Sequence, residues 1–187
     1  DPNEGVEVVD PYEELKLKLG SKFASITKFL FDVVERDSES KLIVFSRYET
    51  VLLKLAKTLE EIDPEVFKKK IVMCKGNVFS RTKQLERFTT SGADSARILL
   101  LSSKNSAAGT HLAVATHVLL LDPAGGTDGD AKATDAQAIA RAHRIGQTST
   151  VVAIRFLVAN TIDQHDYERV YGSLIIRQGL GPKSARK

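Results

Sequence analysis

The stretch RILLLSS (Arg97–Ser103) is a short apolar run between polar ends, and it sets the pattern for the rest of the chain. Such a run is typical of a strand that is buried on both faces of a parallel sheet. Four further runs of this kind are KLIVFS (Lys41–Ser46), KIVMC (Lys70–Cys74), THVLLLD (Thr116–Asp122) and VVAIRFLVA (Val151–Ala159). Amphipathic segments alternate with these runs, which predicts βαβ units. We therefore expect an α/β fold with a mostly parallel sheet and helices on both of its faces.

Capping residues predict where the helices begin. The expected caps or first residues are Ser21, Ser80, Thr134 and Thr161. The last two each stand three positions before a Gln, which is the spacing of a capping box. The segment ETVLLKLAKTLEEI is expected to form a helix that stops near Asp63-Pro64, because proline disfavours helix in the residue before it.

Composition places the chain among ordinary globular domains. Its 187 residues and 42% hydrophobic share are enough for one domain with a core of its own. The single cysteine, Cys74, excludes an internal disulfide framework and fits a reducing compartment. We expect Cys74 to be a buried structural thiol. No apolar run approaches the roughly 20 residues that a membrane helix needs.

The chain divides into a domain with a segment at each end. Residues 1–19 predict a linker or docking segment, residues 20–171 the domain, and residues 172–187 a basic tail. The chain begins without Met, so we expect it to be a piece of a longer protein. The net charge of +3 is by itself weak evidence for a nucleic-acid partner, because mildly basic proteins are common.

Three loops are predicted to follow strands at the carboxyl edge of the sheet, where ligands bind in open parallel sheets. They are SRYET, SSKNSAAGTHL and DPAGGTDGDAKAT. The last is rich in Gly, Asp, Ala and Thr, so we expect a mobile, solvated loop. Its Asp128 and Asp130 lack the further oxygen ligands of a calcium loop. The four histidines have no Cys partners at zinc spacing, so no metal site is predicted.

The stretch QAIARAHRIGQ (Gln137–Gln147) places Gln137, Arg141 and Arg144 at i, i+4 and i+7, on one face of a predicted helix. An arginine fork can hold two phosphate oxygens and stays charged at any relevant pH. Two such forks on a rigid helix could stabilise charge on a nucleotide's outer phosphates. The spacing alone favours a solvated basic face, with Gln137 used only for capping.

The same stretch resembles the last helicase motif of the Snf2 family of DNA-dependent ATPases, which reads Gln-Ala-x-Asp-Arg-x-His-Arg-x-Gly-Gln. Here Ala140 stands where that motif has Asp. Other stretches resemble the family's motifs in the same order along residues 20 to 171. They are GSKFASITKFL, KLIVFSRY, CKGNVFSRTKQLERFTT, ILLLSSKNSAAGTHLAVATHVLLLDP and VVAIRFLVANTID.

The resemblance implies the second of two RecA-like lobes in a nuclear DNA translocase or chromatin remodeller. It implies that Arg141 and Arg144 are arginine fingers that reach ATP, with its Mg²⁺, held by lobe one. Gln137 and Gly109 would lie beside them at the nucleotide cleft. Duplex DNA, and nucleosomes in a remodeller, would be the partners besides lobe one. The residues along the nucleic-acid track would be Ser46, Gly76, Ser102 and Lys104, touching phosphate rather than bases.

Two departures keep a second interpretation open. Ser106 and His111 stand where the family's fifth motif has Gly and Asn, and a longer Gly-rich segment replaces its Trp-Asn-Pro. The chain also has no G-x-x-x-x-G-K-[ST] phosphate loop, so it is not expected to hydrolyse ATP alone. The alternative is a catalytically degenerate lobe that acts as a scaffold or a docking platform for partners. An intact phosphate loop in lobe one would favour the motor.

Overall fold

The computed structural model describes residues 10–102, 112–122, 127–143 and 145–172. Five strands form one sheet in the order β2-β3-β1-β4-β5, and every neighbouring pair is parallel. The strands are β1 (Leu42–Ser46), β2 (Ile71–Met73), β3 (Ile98–Ser102), β4 (His117–Leu120) and β5 (Val152–Arg155). The predicted parallel sheet is confirmed, although β5 ends well before Ala159.

Seven helices surround the sheet in the described ranges. They are α1 (Pro11–Leu19), α2 (Ser21–Arg36), α3 (Glu49–Ile62), α4 (Pro64–Phe67), α5 (Val78–Thr89), α6 (Asp128–Ala140) and α7 (Ile162–Tyr171). Successive strand residues point to opposite faces, so Leu42 and Val44 pack under α2, α3 and α4, and Ile43 and Phe45 pack under α5 and α6. The predicted cover of both faces is confirmed. None of the described helices has the length and apolar composition to cross a membrane.

Several predicted helix starts were wrong by one or a few residues. Ser21 is the first helical residue of α2 rather than its cap, which is Gly20. Helix α5 begins before Ser80, because the Asn77 side chain accepts a hydrogen bond of 2.9 Å from the Ser80 backbone N–H. Thr161 caps α7 as predicted, but the predicted capping box does not form, because the Gln164 side chain does not bond to the Thr161 backbone N–H. Gln164 instead accepts from the backbone N–H of Asn160 at 2.9 Å.

The segment predicted as a linker or docking region contains helix α1. The Asp10 side chain caps this helix by accepting from the Tyr12 backbone N–H at 2.9 Å. The Tyr12 ring meets Phe31 of α2 edge to face, with ring centroids 6.3 Å apart. The proposed boundary at residue 20 stays a prediction, and residues 173–187 of the basic tail lie outside the described residues.

Helix α6 differs most from what the sequence predicts. Residues from Asp128 onward, expected to be a mobile loop, are helical. The start is fixed by a capping box, in which Thr127 Oγ1 accepts from the Asp130 N–H and the Asp130 carboxylate accepts from the Thr127 N–H. The predicted box between Thr134 and Gln137 is therefore absent, since both residues lie inside α6.

Candidate functional site

Helix α6 packs on the sheet through a stripe of mostly small side chains. The buried residues of this stripe are Ala131, Asp135, Ala138 and Ala142. Alanines let the helix backbone approach the sheet closely, because they add little bulk between the two. Gln137 is exposed and Arg141 is half-buried, four residues apart along the same helix. The two side chains that the sequence placed at a nucleotide cleft therefore lie away from the buried stripe.

The helix ends earlier than the spacing predicted. Ala140 is its last residue, and Arg141 is the C-cap with right-handed helical angles. The Ala142 and His143 backbone N–H groups both donate to the Ile139 carbonyl, at 3.0 and 3.1 Å, which tightens the last turn. The helix expected to carry all three polar residues therefore contains Gln137 but ends one residue before Arg141. Arg144 lies outside the described residues.

The turn after α6 is fixed by the last residue of the QAIARAHRIGQ stretch. The Gln147 side chain donates to the Ala115 carbonyl at 2.8 Å and to the Ala142 carbonyl at 3.3 Å. It also accepts from the Ser149 backbone N–H at 2.9 Å. The Arg141 carbonyl accepts from the Leu112 N–H at 3.1 Å. Sequence reasoning gave Gln147 no role, although its place at the end of the motif was a usable signal.

Two of the predicted nucleic-acid residues lie side by side where β1 and β3 end. Ser46 and Ser102 are register partners, and they are 2% and 4% exposed. The Ser46 hydroxyl donates to the Asp122 carboxylate at 2.7 Å, and the Arg47 backbone N–H donates to the same oxygen at 2.7 Å. The Ser46 side chain is thus engaged inside the protein, and its contact with DNA stays a prediction.

Gly76 lies in the exposed turn between β2 and α5. Its φ of +89° is in the left-handed region, where side chains with a Cβ are strained. A Cβ at this position would meet the Ser80 side chain at 3.4 Å, which is ordinary contact, so the backbone angle is the constraint. Two apolar side chains shortly after it, Val78 and Phe79, are 71% and 79% exposed. The turn is open to a partner, and the role of Gly76 at DNA stays a prediction.

The predicted site residues fall into two groups at different places in the fold. The first group lies at the carboxyl edge of the sheet. Ser46 and Ser102 are at the carboxyl ends of their strands, and Gly76 lies just beyond the carboxyl end of β2. The turn after α6 is joined to Ala115, which precedes β4 and so lies at the amino end of that strand. The helix between has 13 residues, a length of roughly 20 Å at 1.5 Å per residue. Gly109 and Lys104 lie outside the described residues.

A polar network on the buried face of α6, which also includes the 42% exposed Tyr171, was not foreseen. Asp135, on the buried face of α6, accepts from the Arg155 guanidinium of β5 and from the Tyr171 hydroxyl of α7. The Arg155 and Asp135 side chains are 11% and 8% exposed. Burial and the hydrogen bond to Asp135 raise the pKa of Tyr171 to about 12. No local pattern signals such a network, because its members are 20 and 36 residues apart.

Cys74 and His143 differ in their exposure to solvent. Cys74 is 2% exposed, which confirms the predicted buried thiol, and burial raises its pKa against the opposing effect of Arg81 and Arg141. His143 is exposed. Within the described residues, no three His, Cys, Asp or Glu side chains are grouped so that they could hold a metal ion.

Comparison with known proteins gives relatives for most of the chain. A family profile described as "Helicase conserved C-terminal domain" matches residues 21–146. The chain is 34% identical over 150 residues to the DNA repair protein RAD5 of Candida albicans, covering 76% of this chain and 13% of that protein. It is 31% identical over 158 residues to the human DNA excision repair protein ERCC-6-like, covering 83% and 12%. The mouse helicase-like transcription factor is 26% identical over 163 residues, covering 83% and 15%.

A solved structure has the same fold. The crystal structure of the C-terminal part of the Fun30 ATPase domain matches with a TM-score of 0.63 and 22% sequence identity. The match covers 85% of this chain and 47% of that one. It confirms the predicted RecA-like arrangement of a parallel sheet between two layers of helices. In each of the three named relatives, the chain spans less than a sixth of the protein's length.

Proposed function

Since the chain belongs to the helicase conserved C-terminal domain family, among proteins of the Snf2 type, we propose that it is the second ATPase lobe of a DNA translocase or chromatin remodeller. In this proposal the lobe supplies arginine fingers to ATP held by lobe one and forms part of a groove for duplex DNA. The lobe has no hydrolytic activity without lobe one, because its sequence has no phosphate loop.

The observation that carries the proposal is the way α6 presents Arg141. The helix buries the stripe from Ala131 to Ala142, so Gln137 and Arg141 lie outside the core of their own lobe. The backbone of Arg141 is fixed by the Leu112 N–H, and the turn beyond it is fixed by Gln147. A fixed backbone removes part of the ordering that a guanidinium needs before it can meet phosphate oxygens, and such pre-ordering favours charge stabilisation.

The residues present fit the outer phosphates of a nucleotide rather than a whole site for ATP. Arg141 offers N–H donors and permanent positive charge, and Gln137 offers an amide beside it. Bound ATP supplies the phosphoryl group that is transferred to water. The described residues include no cluster of carboxylates that could hold Mg²⁺, so lobe one is expected to hold the metal. Arg144 is the second proposed finger, and Gly109 is proposed to let the backbone approach the cleft.

The nucleic-acid side of the proposal rests on the carboxyl ends of β1, β2 and β3. The open turn at Gly76 and the backbone after Ser46 lie there. Contacts with phosphate would bind duplex DNA without reading its sequence. Ser102 and Lys104 complete the proposed track, and nucleosomes are the proposed substrate in a remodeller. The names of the relatives, which are DNA repair proteins, support a nuclear location.

The proposal is tested by ATP hydrolysis in the full-length protein, lobe one included, with and without duplex DNA. Strong stimulation by DNA is expected. Arg141→Ala and Arg144→Ala are each expected to reduce turnover by about 10³-fold or more, which is the effect of losing an arginine finger. Arg36→Ala is the matched control, because this arginine is 80% exposed and its only ion pair is with Asp32 on the same helix in the described residues.

Each outcome decides between the two interpretations. If a folded wild-type protein with an intact phosphate loop hydrolyses no ATP, the lobe is a scaffold or docking platform and the motor proposal fails. If the wild type is active and Arg141→Ala and Arg144→Ala match Arg36→Ala, the finger assignment fails while the motor remains. Unchanged melting temperatures in the three variants are the check that the fold is intact.

A further inference from the structure

The buried face of α6 carries one charged side chain in an otherwise alanine-rich stripe. Ala131, Ala138 and, just beyond the helix, Ala142 are small, so Ile139 is the one large apolar side chain of α6 that packs against this face. Asp135 also holds the helix, because its carboxylate accepts from Arg155 of β5 and from Tyr171 of α7. Hydrogen bonds depend on direction as well as distance, so these two constrain the rotation of the helix that carries Gln137 and ends at Arg141, together with Ile139 and the Asp128–Arg169 ion pair to α7.

Arg155 has a second partner, which lies at the carboxyl end of the sheet. One nitrogen of its fork donates to Asp135, and the other donates to the Asp122 backbone carbonyl at 2.9 Å. The carboxylate of Asp122 in turn accepts from the Ser46 hydroxyl and from the Arg47 N–H, each at 2.7 Å. A continuous series of hydrogen bonds therefore joins the segment after β1 to the buried face of α6.

We propose that Arg155 and Asp135 form a positioning unit that couples the Ser46–Arg47 segment to helix α6, so that DNA held at the carboxyl ends of the strands sets the placement of Arg141. The inference rests on the proposed function, since it assigns the unit to the same motor. Neither residue touches ATP or DNA in this scheme. Arg155 acts through Asp122 on one side, and Asp135 acts through the helix backbone on the other.

Because the Arg155–Asp135 pair is buried, it can hold the elements that it joins in one relative position. Removing two charges from water is unfavourable, and an apolar pair of the same volume often stabilises a fold as well or better. The Arg155–Asp135 pair is nevertheless almost fully buried, and the rings of Tyr167 and Tyr171 lie 5.8 and 5.9 Å from its guanidinium. In such surroundings a polar pair specifies one arrangement of the elements that it joins, which apolar contact does less strictly.

The test uses the full-length two-lobe protein and measures kcat and KM for ATP, with and without duplex DNA. Arg155→Lys keeps the charge but loses the planar fork that reaches Asp122 and Asp135 together. Asp135→Asn keeps the shape but loses the charge. Each is expected to lower the ratio of DNA-stimulated to unstimulated kcat by about 10-fold, within the usual range of coupling between two sites. KM for ATP is expected to change by less than about twofold, because the nucleotide contacts remain.

The double variant separates coupling from a general loss of stability. If Arg155 and Asp135 act as one unit, changing both lowers the ratio no more than changing one. Two independent structural effects would instead multiply. Tyr171→Phe is a milder third variant that removes only the hydroxyl donor to Asp135. Tyr167→Phe is its matched control, because Tyr167 stacks on Tyr171 with centroids 4.9 Å apart and its hydroxyl makes no hydrogen bond to the described residues.

The outcomes distinguish this inference from the proposed function. A wild-type protein without DNA-stimulated hydrolysis overturns the proposed function and the positioning unit with it. A stimulated wild type whose Arg155→Lys and Asp135→Asn variants keep the full ratio leaves the motor intact and overturns the unit. If those two variants do not fold, Tyr171→Phe decides, and equal ratios for Tyr171→Phe and Tyr167→Phe overturn the unit.

Discussion

Helices α3 and α6 pack on opposite faces of the same sheet, and they bury different kinds of side chain. Helix α3 inserts Leu52, Leu55 and Leu59, each 0% exposed, among the aliphatic side chains of β1 and β3. Helix α6 offers alanines, one carboxylate and the partly buried Ile139 to the other face. The contact of α3 with the sheet buries more apolar area, and apolar contact has no preferred direction. The contact of α6 buries less apolar area, but its hydrogen bonds have a preferred direction. The stability of the fold therefore depends more on α3 than on α6, whereas the geometry of the candidate site depends more on α6.

The largest expected change in stability comes from the α3 side. Leu55→Ala in the 187-residue chain is expected to lower the free energy of unfolding by about 2–5 kcal/mol, because it leaves a cavity in a packed core. Urea unfolding with an unchanged slope measures it. Leu53→Ala is the control on the same helix, where the side chain is 41% exposed and the expected change is about 0.5 kcal/mol or less. Equal losses in the two variants would contradict the assigned burial of α3.

At the contact between α6 and the sheet, added side-chain volume is expected to be destabilising, whereas in α3 it is the loss of volume. Ala138→Leu adds bulk where the helix meets the sheet, and it is expected to lower the free energy of unfolding by about 1–3 kcal/mol. Ala136→Leu, at an exposed position of the same helix, is expected to be nearly neutral. If Ala138→Leu also proves neutral, the close approach of α6 to the sheet is wrong.

The strands could be predicted from the sequence and α6 could not, because the prediction depends on a pattern of apolar residues that the strands have and α6 lacks. Buried parallel strands are continuous apolar runs, so RILLLSS and KLIVFS could be found without knowing their neighbours. Helix α6 has almost no apolar periodicity, and the Gly and Asp of its first turn suggested a loop. Its usable signal was the spacing of Thr127 and Asp130, an acidic variant of the capping box. Alanines then offset the cost of Gly129, which is about 1 kcal/mol relative to Ala.

The candidate site was predictable only where the chemistry lies within one motif. Gln137 and Arg141 could be proposed from a single stretch, since the spacing along one helix brings them together. Asp135 and Arg155 could not, because the sheet and α7 bring them together and neither has a distinctive neighbour in the sequence. Sequence also placed the two arginines on one continuous helix, whereas the described helix stops at Ala140.

A smaller loss of stability is expected from changes at the start of α6. They distinguish the observed capping box at Thr127 from the one predicted at Thr134. Thr127→Ala removes the side-chain acceptor for the Asp130 N–H, and it is expected to lower the free energy of unfolding by about 1 kcal/mol. Thr134→Ala changes an exposed residue inside the helix, where Ala is the better helix former, so no loss is expected. The reverse order of the two variants in urea unfolding would restore the box predicted from Thr134 and Gln137.

The smallest expected effects concern two tyrosines, Tyr12 on helix α1 and Tyr171 on helix α7. Burial raises the pKa of Tyr12 to about 12 with help from nearby carboxylates, and burial with the Asp135 hydrogen bond raises that of Tyr171 to about 12. The Tyr12 hydroxyl is buried without a hydrogen-bond partner in the described structure, whereas the Tyr171 hydroxyl donates to Asp135. Tyr12→Phe is therefore expected to be neutral or slightly stabilising near pH 7, and Tyr171→Phe slightly destabilising.

The pH dependence separates the causes behind the two raised pKa values. Because the folded pKa of Tyr171 lies above its unfolded value near 10, the stability that it contributes is present below pH 10 and is lost as pH rises towards 12. Asp135→Asn removes the charge that disfavours tyrosinate, so absorbance titration is expected to show the pKa of Tyr171 falling towards 10 while that of Tyr12 stays at about 12. Equal shifts of both tyrosines would mean that the substitution loosened the whole fold. A shift confined to Tyr171 would show that the Asp135 carboxylate acts on Tyr171 through the hydrogen bond between them.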